Sequence, residues 1–226
     1  MQEKKAVGRR RIEIFTGLIL ILVAFSYISS LLLDFKFVSP YATLQEDLSY
    51  LSEHIQSQKF SSLAWLITAL ITALAAPFYF LLFKKHLRVL PYINGLMMLS
   101  ASVGFLLMSQ VGMELHREVS GLVADGVEQA EDSVKLMLLD QFREEQLFRL
   151  IGSSCVGLWA LGLGLGKFRI SRIPIVSAVL LIISGPVLIF FNWHDADHLG
   201  RTAAMAGIII GVMILCVRLI NKGLSE

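Results

Sequence analysis

Six apolar runs, each of about twenty residues, leave this chain few ways to fold. A helix rises about 1.5 Å per residue, so each run is long enough to cross a hydrocarbon core of about 30 Å. The chain is 55% hydrophobic and only 17% charged, with a mean hydropathy of +0.68. A soluble globule carries more charge than that, so the bilayer is the expected solvent. The expected fold is all-α: a polytopic membrane helix bundle with six transmembrane helices and a small extracytoplasmic helical cap. The spans fall at about 14–33, 63–83, 91–113, 147–165, 173–191 and 199–217, within one membrane domain over 1–226. The extracytoplasmic helical segments are expected at about 34–61 and 114–146.

Lys4, Lys5, Arg9, Arg10 and Arg11 precede the first run, which ends in Leu31, Leu32, Leu33 and Asp34 without a small-residue cleavage site. It reads as an uncleaved span rather than a signal peptide. Beyond Pro40, Thr43 and Glu46 form a capping-box pattern, and Leu44, Leu48, Leu51 and Ile55 recur at helical spacing. This predicts a short amphipathic helix outside the bilayer. Its Glu46, Asp47 and Glu53 favour packing on protein over binding to anionic lipid.

Pro77 lies inside the second span, Pro91 opens the third, and Gly185 with Pro186 marks an expected kink in the fifth. Between 113 and 146 the chain is acidic and loosely periodic, with Gly121 or Gly126 as expected breaks. The third span is expected to continue as helix, fold back and re-enter as the fourth. Gly162 with Gly166, and Gly207 with Gly211, are GxxxG pairs, and Ser100 with Gly104 is a small-residue pair at the same spacing. Such pairs predict tight helix contacts within the bundle or between copies of the chain. The glycines at 162, 164 and 166 lie inside an apolar helix, which excludes a nucleotide fingerprint that needs a preceding strand. Cys155 and Cys216 fall at different depths of their helices, which argues against a disulfide or a shared metal.

Charge orients the spans. With the N-terminus in the cytoplasm, 13 of the 20 Lys and Arg lie inside, and 15 of the 18 acidic residues lie outside. Positive residues in short loops set orientation, so both termini are expected on the cytoplasmic side of a plasma membrane. The formal charge of +2 gives no reason to expect a nucleic-acid partner. Membrane lipids are the first expected partner, with a homo-oligomer or another membrane protein as the second. Spans two and three also resemble spans four and five, with Pro91 and Pro174 in matching places. A parallel duplication and the positive-inside constraint both account for this.

The run from Leu147 through Gly157, Leu161, Gly162, Gly164, Gly166, Ile173 and Pro174 to Gly185 carries a glycine-rich helix, a basic turn and an Ile-Pro step. It resembles the fourth-to-fifth-span segment of a family of six-span bacterial membrane proteins with a domain of unknown function. The resemblance implies a six-span order and brings no activity or ligand with it.

The densest chemistry lies at 192–201, N-W-H-D-A-D-H-L-G-R, between the last two spans. His194 and His198 are four apart, on one face if the sixth helix begins before them, with Asp197 or Asp195 as an oxygen donor. His116, Glu114, Glu118 or His54 would complete a zinc site on the outer face. An H-x-x-x-H pair there resembles the membrane zinc hydrolases of the ceramidase and adiponectin-receptor type. Those proteins have seven spans and intramembrane Asp and His residues, which this chain lacks. The simpler expectation is a helix start: Asp195 or Asp197 caps the last helix, and Trp193 sits at the interface. No ionisable residue falls in the middle of any span, which argues against an ion-coupled carrier. The leading expectation is a non-enzymatic membrane or accessory component without a cofactor. An outer-face metal hydrolase using His194 and His198, and a carrier for a neutral lipophile, are the alternatives.

Overall fold

The computed structural model describes residues 2–34, 55–84, 89–125, 132–168, 170, 173–193 and 198–225. Six long helices carry nearly all of them. They are α1 (Gln2–Asp34), α2 (Ile55–Phe83), α3 (Leu90–Asp125), α4 (Asp132–Leu165), α5 (Ile175–Trp193) and α6 (His198–Ser225), with a 3-10 turn at Gly166–Phe168. No strand occurs among the described residues. Each helix holds a stretch long and apolar enough to cross a membrane, from Arg11–Leu33 in α1 to Gly200–Asn221 in α6. The fold is a multi-pass membrane helix bundle.

The helices overrun the expected spans. The basic N-terminal segment is already helical, because α1 begins at Gln2. The 36 residues of α3 extend about 54 Å, well beyond a hydrocarbon core of about 30 Å. Most of the acidic segment is therefore continuous helix, the end of α3 and the start of α4. Gly121 does not break α3, since the helix runs on to Asp125. Gly126 and the amphipathic helix expected over 44–55 lie outside the described residues, apart from Ile55 at the start of α2. Pro77 in α2 and Pro186 in α5 both sit inside helices that continue past them.

Helices adjacent in sequence pack side by side, and α1 packs on α6, so the six form a closed ring. A methyl group added at Gly17 would lie 2.9 Å from Ile220 Cγ1, which places both chain ends at one end of the bundle. Small residues bring the backbones together. At the α4–α5 contact, a methyl at Gly185 would stand 2.5 Å from the Gly157 carbonyl oxygen. At α3–α4, a methyl at Gly104 would stand 3.0 Å from the Gly152 Cα. Gly162 is covered by the Asn94 side chain, and Gly207 by Ser184. The sequence's glycine pairs thus serve contacts inside the bundle: Gly162 against α3, and Gly207 and Gly211 against α5.

Hydrogen bonds between helices reinforce the same contacts. Ser102 Oγ donates to the Ala69 carbonyl (2.8 Å), Ser109 Oγ to that of Ser62 (2.7 Å) and Ser177 Oγ to that of Gly211 (2.7 Å). The hydroxyls of Ser30 and Thr68 lie 2.9 Å apart. With no water to compete in the bilayer core, a serine satisfied in this way adds specificity at a typical value of about 0.6 kcal/mol.

Candidate functional site

The ring encloses layers of different chemistry. At mid-depth is a small apolar cavity of about 40 Å³, lined among others by Ala24, Thr72, Ala101, Val156 and Ile208. An aromatic layer stands on one side of it. Tyr27 meets Trp65 edge-on at 5.4 Å between ring centroids, and Trp65 lies 4.7 Å from Phe105. Tyr27 also donates to Ser153 Oγ at 3.3 Å, tying α1 to α4 across the layer. A second aromatic layer lies on the side nearer the chain ends. There Tyr79 meets Phe83 at a tilt of 45° (4.7 Å between ring centroids) and approaches Trp159 (6.2 Å), while Asn94 Nδ2 donates to the Tyr79 hydroxyl at 2.8 Å.

Beyond the first aromatic layer, toward the end away from the chain termini, the interior becomes polar. Arg149 precedes the cavity-lining Val156 by seven residues, and Arg201 precedes Ile208 by seven. Seven residues are close to two turns, so both arginines share the inward face of their helices, about 10 Å from the cavity wall. Glu145, one turn beyond Arg149, is only 2% exposed. On α5, which lies between α4 and α6, Asn192 follows the buried Leu188 by four and is 5% exposed. Two contacts tie α5 to its neighbours at this level. Trp193 Nε1 donates to Ser154 Oγ at 3.0 Å, and a methyl at Gly200 would stand 2.5 Å from the Phe191 ring.

This layer holds buried polar atoms without a hydrogen-bond partner among the described residues: Asn192 Nδ2, Arg149 Nε and Arg201 Nε, all donors. Both arginines and Glu145 make other interactions. Farther out on α3 and α4, Glu118 Oε2 and Gln141 Oε1 are buried acceptors without a partner among the described residues. A buried donor left without an acceptor costs about 1–3 kcal/mol.

The metal-ligand candidates fare differently. His194, Asp195 and Asp197 lie outside the described residues, as does His54. His198 opens α6, and its side chain lies outside what the structure describes. His116 is half-buried on α3, seven residues beyond the buried Ser109, and its carbonyl accepts from Ser120 Oγ at 2.7 Å. Glu114 is exposed and Glu118 half-buried on the same helix. Among the described residues, no three His, Cys, Asp or Glu side chains come together as metal ligands. Cys155 and Cys216 are free thiols.

The structure thus brings together residues that carry no motif. Asn192 and Arg201 bound the stretch at 192–201, yet by spacing the histidines between them stand out. Glu145 and Arg149 lie four apart near the start of the fourth span, a spacing that puts both on one helix face. That this face turns inward is decided by where the ring closes. No family model, curated protein or solved structure matches this chain.

Proposed function

We propose that the chain is a non-enzymatic multi-pass component of a bacterial plasma membrane, with both termini cytoplasmic, acting through contact with lipid or another membrane protein. One observation carries this reading: the ring is drawn tight by backbone contacts at glycine, and the apolar cavity at mid-depth measures only about 40 Å³. A bundle built this way resists opening, since close-packed interiors do not deform gradually. The orientation is supported by the basic residues at the end that carries both termini.

The test is extraction from native membranes into polymer discs, followed by sizing and by mass spectrometry of protein and lipid. A companion that persists at fixed stoichiometry, whether a second copy, another membrane protein or one lipid class, supports the reading. A lone chain in bulk lipid, with hydrolytic turnover and one zinc that is lost when His194 and His198 are changed to alanine, overturns it in favour of the hydrolase.

A second reading, a carrier for a neutral lipophilic molecule, draws on the same cavity, which is apolar, at mid-depth and between two aromatic layers. An enclosed cavity of roughly 150 Å³ holds a benzene-sized guest, so a substrate here requires the helices to part. Saturable flux of a lipophilic probe into vesicles containing the protein, abolished by filling the cavity through Ala101→Leu, would favour the carrier.

A further inference from the structure

We infer that the polar layer around Arg149, Asn192 and Arg201 is a binding site for an oxyanion, such as the phosphodiester of a lipid headgroup or a free phosphate. Three observations converge. Two guanidinium groups lie on the inward faces of α4 and α6, and α5 between them contributes Asn192. The Asn192 amide is buried, and its Nδ2 meets no acceptor among the described residues. Arg201 stands in the first turn of α6, where the helix dipole favours negative charge.

Glu145 lies one turn from Arg149 on the same face and is buried, so a carboxylate already shares this layer with the guanidinium groups. Guanidinium presents paired N–H donors that match two oxygens of a phosphate or carboxylate, and an amide N–H supplies a third direction. Behind the layer, Tyr27, Trp65 and Phe105 form an apolar floor, which suits an amphiphile with its charged group toward the bundle's end. The site adds a ligand to the membrane-component reading. It rests on that reading only in requiring a folded bundle, and its test does not involve the companion sought in native discs.

The experiment uses the full chain in nonionic micelles at constant ionic strength, set with chloride. Thermal unfolding is followed against inorganic phosphate in one arm and dihexanoyl phosphatidylglycerol in another, with dihexanoyl phosphatidylcholine as a zwitterionic comparison. The expected result is a saturable rise in Tm. The apparent affinity falls at least tenfold in Arg149→Gln, Arg201→Gln and the isosteric Asn192→Asp, and is largely kept in Arg149→Lys. Arg143→Gln, an exposed position on the same helix, leaves it unchanged. Saturation at lower concentration by the glycerol lipid than by phosphate identifies a headgroup as the source; the reverse order identifies a free anion. If a glutamine variant does not fold, Asn192→Asp and Arg149→Lys still separate charge recognition from packing. The proposal is overturned if neither anion gives a saturable shift, which would mean the layer holds only water. It is overturned equally if the shift survives unchanged in the folded variants.

Discussion

Gly185→Ala tests whether glycine contacts hold the ring closed. The new methyl would stand 2.5 Å from the Gly157 carbonyl oxygen and 3.0 Å from the Leu161 amide nitrogen, where ordinary contact begins at 3.4 Å. Both neighbours are backbone, so no side chain can rotate away and the two helices must separate by up to about 0.9 Å, the shortfall at the oxygen. A gap of about 0.5–1 Å forfeits a quarter to a half of the dispersion energy of each contact along the seam. Forcing extra volume into a packed core typically costs about 1–3 kcal/mol. Alanine recovers up to about 1 kcal/mol of helix propensity over glycine, leaving a net loss of up to about 2 kcal/mol. Gly95 is the control: a methyl there meets nothing within 4 Å, so Gly95→Ala gains the propensity alone, about 0.5–1 kcal/mol. Unfolding in detergent, followed by circular dichroism, reads the difference as opposite shifts in midpoint. Gly157→Ala, facing the same contact, adds less in combination with Gly185→Ala than alone, because one separation relieves both. A Gly185→Ala protein as stable as Gly95→Ala would refute the reasoning.

Other outcomes follow from the interior layers. Tyr79→Phe removes the acceptor of the Asn94 amide and is expected to lower stability by about 0.6–1.7 kcal/mol in an unfolding titration. Ala101→Val partly fills the cavity of about 40 Å³; at about 24 cal/mol per Å³ the most it can gain is about 1 kcal/mol, read as a higher midpoint. Loss of stability on that change would mean that the cavity wall does not accept a larger side chain. Arg143→Gln breaks an exposed pair with Asp140 at 3.7 Å and should shift stability by no more than about 0.5 kcal/mol. Maleimide labelling should modify the half-buried Cys155 faster than Cys216, which is fully buried, and equal rates would contradict the packing of α1 on α6.

Hydropathy alone determined the six helices, their order and the even number of crossings, because the cost of exposing backbone and charge to hydrocarbon is local to each segment. It also located the glycines that would bring helices close. Which face of each helix turns inward was not legible. In a bilayer the core and the surroundings are both apolar, so Leu20 and Leu181 are fully buried while Phe25, Leu32 and Leu74 face outward, with no polarity change to mark the difference. The sequence likewise could not say that Gly162 would meet Asn94 or that Gly157 would meet Gly185, since those pairings come from the packing of particular neighbours. Ring closure by α1 on α6 is the decisive tertiary fact. It turns Arg149, Asn192 and Arg201, three polar residues on three different helices, into one interior layer.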